Sequence, residues 1–142
     1  TATDQVVIAC NTAHILKEEI EQRTGVSIIS MINATIHHIA ANHPDGVHLI
    51  ATPTTLKQML YEQPLRMQKI MITKPAKRER RVIEHAIRNV IAGKAASVHR
   101  EDFDTTKPLL LGCTELSCVL GDSADVIDPM AIIVDKLLPT NN

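Results

Sequence analysis

The chain has 142 residues, 44% of them hydrophobic and 22% charged, with a formal net charge of −1. This length suits one domain or two small lobes, and the near-neutral balance excludes a global attraction to nucleic acid or to an anionic membrane. Tyr61 and Phe103 are the only aromatics besides histidine, so no stacking platform for bases is expected.

Along the chain, short apolar runs alternate with longer stretches at helical spacing. Residues 5–9 (QVVIA) are β-branched and too short for a helix, so they read as a strand. A helix is expected over 13–24, capped by Asn11 or Thr12 and ended by Gly25. A strand at 26–30 and a helix with Ile32, Ile36 and Ile39 on one side lead to the turn cluster His43-Pro44-Asp45-Gly46. A strand at 47–51, a short helix at 54–62 and a strand at 69–72 follow. The longest helix spans 76–92, with Val82, Ile83, Ala86, Ile87, Val90 and Ile91 on its buried side. Residues 95–107 read as a loop with at most one helical turn. A strand at 109–111, a helix at 115–120, a short strand at 126–127 and a helix at 129–138 complete the chain. Such alternation predicts an α/β fold with mostly parallel sheets flanked by helices. In open sheets of this kind, ligands gather at the carboxyl ends of the strands.

Two segments put reactive side chains at that edge. Cys10-Asn11-Thr12-Ala13-His14 follows the first strand, and Gly112-Cys113-Thr114-Glu115 follows the strand at 109–111. Each cysteine precedes a predicted helix, whose free N–H groups and dipole lower a thiol's pKa and attract carboxylates. Both thiols are therefore expected to lean toward thiolate. Cys118, flanked by Val119 and Leu120 with no polar motif, reads as a packing residue. Cys10 and His14 have ligand-like spacing, but there is no Cys-x2-Cys and the other histidines scatter, so no metal site is expected. The basic run 74–81 (KPAKRERR) opens an amphipathic helix and reads as a solvated face. No apolar run approaches the ~20 residues of a membrane span. Three cysteines and no leader favour the cytoplasm over an oxidising compartment.

The two cysteine motifs together, the second continuing to Leu116, resemble the aspartate/glutamate racemase superfamily. His14 and Glu115 favour its aspartate racemase branch, because glutamate racemases carry a histidine where Glu115 stands. The likeness extends to Leu49-Ile50-Ala51-Thr52-Pro53-Thr54-Thr55 and to Asp128-Pro129, and so covers most of the chain. It implies an amino-acid racemase needing no cofactor and no metal, in which one cysteine thiolate removes the α-proton and the other thiol protonates the opposite face. Cys10 and Cys113 would be the catalytic pair. Asn11, Thr12, Thr52, Thr55 and Thr114 would bind the substrate, with backbone N–H groups aimed at its carboxylate. His14 either tunes Cys10 or covers the helix start; Glu115 is either a first-turn acid or a carboxylate that orients the substrate amine. The residues leave both choices open. Aspartate or a related acidic amino acid is the implied substrate. Its distal carboxylate calls for a cation, yet no Arg or Lys lies in a matching motif, and Lys94 reads as a solvated loop lysine.

The resemblance further implies two small lobes, 1–44 plus 108–142 and 45–107, with the site in the cleft. Family members begin with a glycine-rich strand–loop ahead of the first cysteine motif. This chain starts at Thr1 without one, so a truncated racemase-like domain is expected. The expected partner is a small carboxylate or an amino-acid substrate, not nucleic acid or membrane, and a homo-oligomer stays open. Two other readings stand beside racemisation. One is a non-catalytic domain that binds a small carboxylate or a partner chain. The other is the chemistry of the hydantoin racemase, maleate isomerase or malonate decarboxylase type.

Overall fold

In the computed structural model, residues 5–138 are described. A four-stranded sheet, all parallel, forms the frame: β3 (Val47–Ala51), β4 (Ile72–Thr73), β5 (Leu109–Gly112) and β6 (Val126–Ile127), in the order β4-β3-β5-β6. β1 (Val6–Val7) and β2 (Ile28–Ile29) pair in parallel as a separate small sheet. The sequence explains why β3 and β5 are central. Every residue of both is buried, as the near-continuous apolar run of a strand covered on both faces requires.

Alternation across the pleat assigns the two faces. Val47, Leu49, Ala51, Leu110 and Ile127 join a core with α2 (Met31–Asn42) and α4 (Glu62–Met67). Ile50, Leu109 and Leu111 turn the other way, against α5 (Lys77–Ile91) and α6 (Thr114–Leu120). α7 (Pro129–Leu137) packs on α2, with Met31, Ala34 and Ile133 buried beside Val7 and Ile29. That contact brings the end of the chain back to its beginning.

Several expectations shift. The first helix divides into a 3₁₀ turn, Thr12–Leu16, and α1 (Lys17–Thr24), which Gly25 ends in the left-handed region at φ 70°. The helix expected over 54–62 is α3 (Pro53–Lys57) followed by turns, with Met59 left-handed, before α4 begins. β4 starts three residues late because Lys69 is left-handed and the Ile70 N–H donates to the Leu65 carbonyl. Ile91, expected on the buried side of α5, is 70% exposed. β5 hydrogen-bonds to β3, so residues 109–127 share a sheet with 47–73 rather than with 1–44. Burying two apolar strands side by side decides this grouping.

The order places a topological switch between β3 and β5. From β3 the chain moves to one side of the sheet, to β4, and from β5 to the other, to β6. The crevice outside the carboxyl ends of β3 and β5 is therefore the expected ligand site. Gly112 controls that spot, because it pairs with Ala51 at the last rung. A Cβ on Gly112 would lie 2.6 Å from Ala51 Cβ and 2.8 Å from Leu49 Cδ1, both buried. Gly112→Ala is expected to destabilise the fold by roughly 1–3 kcal/mol through overpacking. Urea denaturation should show a lower midpoint at an unchanged slope.

Candidate active site

Cys10 and Cys113, remote in sequence, line a single cavity of about 200 Å³. Asn11, Thr12, Thr52, Gly112, Thr114 and Glu115 line it with them, and Ile87 and Ile91 of α5 form an apolar wall. Thr52 follows β3 and Cys113 follows β5, so both sit at the switch point. The Cys10 segment arrives from the small sheet, after β1.

Polar contacts hold that segment against the frame. Thr12 Oγ1 lies 2.8 Å from Thr55 Oγ1. Thr52 Oγ1 donates to Thr55 Oγ1 at 3.1 Å and caps α3 by accepting from the Thr55 N–H. Thr55 is fully buried and stands outside the cavity lining, so it braces Thr12 and Thr52 rather than facing a ligand. Tyr61, fully buried at the start of α4, donates its hydroxyl to Asn11 Oδ1. Burial pushes the Tyr61 phenol far above its ordinary pKa, so it stays a donor. With Oδ1 occupied, Asn11 Nδ2 is buried at the cavity with no partner among the described residues. A buried amide donor left open is costly unless a ligand accepts from it.

His14 sits between two backbone groups. Its Nδ1 lies 2.8 Å from the Cys10 carbonyl oxygen, which only accepts, and its Nε2 lies 3.2 Å from the Met31 N–H, which only donates. The ring is thus neutral with its proton on Nδ1. Burial agrees, holding the imidazole below its ordinary pKa. His14 touches the Cys10 backbone rather than its thiol, and so fixes the loop against the start of α2.

The two cysteines are unlike. Cys10 is exposed and is followed by a 3₁₀ turn, not by the α-helix start expected there. Cys113 is buried and its Sγ donates to Glu115 Oε2 at 2.8 Å. Burial first, then this hydrogen bond and the Glu115 charge, push the Cys113 thiol up to about 12. The expected drift toward thiolate is therefore reversed at Cys113: seven residues of α6 do not outweigh burial beside a carboxylate. The same bond, with one from Thr114 Oγ1 at 3.3 Å, holds Glu115 below the usual carboxylate range. Glu115 Oε2 thus accepts from both Cys113 and Thr114. Cys118, read from sequence as a packing residue, is exposed.

The sequence pattern of the Asp/Glu/Hydantoin racemases matches residues 1–137. The chain belongs to that family. Among this racemase-family chain's relatives, the broad specificity amino-acid racemase RacX of Bacillus subtilis is 30% identical over 66 residues. Those residues are 46% of this chain and 29% of that relative. The aspartate racemase of Picrophilus torridus superposes with a TM-score of 0.66 at 26% identity, covering 92% of this chain and 61% of that one. The Campylobacter jejuni glutamate racemase superposes at 0.69, with 24% identity and coverage of 98% and 61%. An aspartate racemase homologue from Pyrococcus horikoshii, PH1733, gives 0.69, with 22% identity and coverage of 95% and 65%. The chain thus spans less than two thirds of each of these relatives. The last two comparisons speak for the fold alone, an α/β arrangement of parallel sheets flanked by helices.

Sequence reasoning had not placed Tyr61, Ile87 or Ile91 at the site of this racemase-family chain. Tyr61 carried no motif, and the two isoleucines lay within a helix face that reads as core. The thiol chemistry is directly testable. With iodoacetamide at neutral pH, Cys113 should be the slowest of the three cysteines, since it reacts as thiolate only as the pH climbs toward about 12. Glu115→Gln removes the adjacent negative charge and should accelerate Cys113 alkylation, because that charge raises the thiol's pKa. Peptide mapping that finds Cys113 the fastest in the unaltered chain would contradict this electrostatic account.

Proposed function

We propose that the chain carries the two-thiol site of a cofactor-independent amino-acid racemase, with Cys10 and Cys113 on opposite faces of the substrate α-carbon. The observation that carries this reading is that both cysteines line one cavity at the switch point, with Asn11, Thr12, Thr52 and Thr114 around them. Racemisation needs a split pair, one thiolate and one thiol, because a single base tends to return the proton to the face it left. The electrostatics favour one split. Cys113, held as a thiol by burial and Glu115, is the resting proton donor, and exposed Cys10 is the base.

An amino-acid α-carbon is a weak acid, so the carbanion-like state must be stabilised through its carboxylate. The unpartnered Asn11 Nδ2 is the first donor for that role, with the hydroxyls of Thr12, Thr52 and Thr114 beside it. When Cys10 takes the α-proton, the Cys113 proton passes to the opposite face, leaving thiolate at Cys113 and thiol at Cys10. The high proton affinity of Cys113 then favours return to the starting split. The reaction depends on the α-carbon, carboxylate and ammonium that all amino acids share. Three free thiols fit a reducing cytoplasm. No helix among the described residues is long and apolar enough to cross a membrane.

Replacing either cysteine by Ser puts that group's pKa far above neutral. Cys10→Ser and Cys113→Ser should each lower racemisation by at least about 10²-fold, the scale of a lost acid–base group. In heavy water, each variant should keep slow α-deuterium exchange with one enantiomer only, and the two variants should prefer opposite enantiomers. A shared preference, or full racemisation by either variant, would rule out the two-thiol assignment. Binding of amino acids by the unaltered chain without any α-exchange would leave carboxylate binding without turnover as the function.

A further inference from the structure

The side chain of Asn11 is held at one end by the protein core. Its Oδ1 accepts from the hydroxyl of Tyr61, 50 residues away in the chain. Tyr61 has little freedom to adjust. It stands at the start of α4, fully buried in the core that also holds Ile36 of α2, Leu49 of β3 and Leu65 of α4. Burial keeps the phenol protonated, so it has one proton to donate at any working pH. An asparagine amide is planar, with its acceptor and its donors on separate branches. A bond that fixes Oδ1 therefore fixes the direction of Nδ2 as well. Asn11 lines the cavity beside both cysteines.

The loop that carries Asn11 has two further ties. Thr12 Oγ1 meets Thr55 Oγ1, and the His14 ring spans the Cys10 carbonyl and the Met31 N–H. What the Tyr61 contact adds is control of the side chain. Without the hydroxyl the Asn11 amide would be free to turn over, and Oδ1, an acceptor, would then face an incoming carboxylate. We propose that Tyr61 is a positioning residue for the reaction: its hydroxyl holds the Asn11 amide with Nδ2 toward the substrate carboxylate, and it acts through Asn11 rather than on the substrate. The role of the carboxylate rests on the racemase reading, whereas the orientation of the amide can be measured without turnover.

The test uses the full chain, with L-aspartate and L-alanine as probes of α-deuterium exchange. Tyr61→Phe keeps the ring and removes only the hydroxyl. It should slow exchange by roughly 10²-fold, the scale of a misplaced contact, with the loss in kcat rather than in KM. Asn11→Ala should cost at least as much. Adding Tyr61→Phe to it should cost nothing further, because the two residues act as one unit. Iodoacetamide should modify Cys10 of Tyr61→Phe at the unaltered rate, since the loop keeps its other ties. An undiminished effect of Tyr61→Phe in the Asn11→Ala background would overturn the proposal in favour of direct contact with substrate. A faster Cys10 reaction would overturn it in favour of a simple loop tether. NMR of the unaltered chain gives a reading that needs neither turnover nor a Tyr61 variant. The Tyr61 hydroxyl proton should be protected from exchange with water and should shift on Asn11→Ala. A signal that ignores Asn11→Ala would overturn the proposal. If the signal shifts but neither probe exchanges its α-proton, the racemase reading falls and the amide orientation stands.

Discussion

The hydrogen-bonded pairing of β3 with β5 is the constraint on which the rest of the site depends. Four rungs, from His48 opposite Leu109 to Ala51 opposite Gly112, bring two distant segments into register and stop them at the same level. The next residues, Thr52 and Cys113, therefore emerge side by side at the edge where the chain diverges to either flank. The pairing is secured by burial of both faces, and its last rung is tight enough that only glycine fits beside Ala51. A shift of one residue would turn Leu110 and Leu111 to the wrong cores. It would also move Cys113 out of reach.

Cys10 is brought to this edge by different means. Its own sheet has two short strands, so side-chain bonds position the loop: Thr12 to Thr55, Asn11 to Tyr61, and the His14 ring between the Cys10 carbonyl and the Met31 N–H. These are short-range, directional interactions that fail singly at modest cost. The half of the site that carries Cys113 is thus built into the sheet, whereas the half that carries Cys10 is tied on. The chemistry follows the same division. Cys113 lies within the core and keeps its proton, and Cys10 stays open to solvent.

Much of this was legible in the sequence. Apolar runs separated by amphipathic stretches gave the parallel α/β arrangement, and polar motifs after the first strand and after β5 marked the functional edge. What stayed hidden depends on tertiary context. Strand order cannot be read from periodicity: β5 and β6 pair with β3, while α7 packs on α2. The helix-start rule favoured thiolate at Cys113; burial and the Glu115 carboxylate, two residues away in sequence, act the other way and are stronger. Thr55, expected among the substrate-binding residues, is buried with its hydroxyl against Thr12 and Thr52, a direction decided by neighbours rather than by spacing. Ile91 looked like core, since an apolar residue at helical spacing does not reveal whether its face ends at protein or at a cavity.

Cys10 and Cys113 face one small space. A short bis-alkylating reagent tests it without reference to any substrate. Once one arm has reacted at exposed Cys10, the tethered second arm is held at high effective concentration near any thiol in the same cavity. Applied to dilute protein at mildly alkaline pH, the reagent should yield an intramolecular Cys10–Cys113 bridge as the main doubly alkylated product. Cys118 should carry only single adducts. A predominant bridge to Cys118, or no bridge to Cys113 when Cys10 is fully modified, would contradict the shared cavity and the two-thiol site built on it.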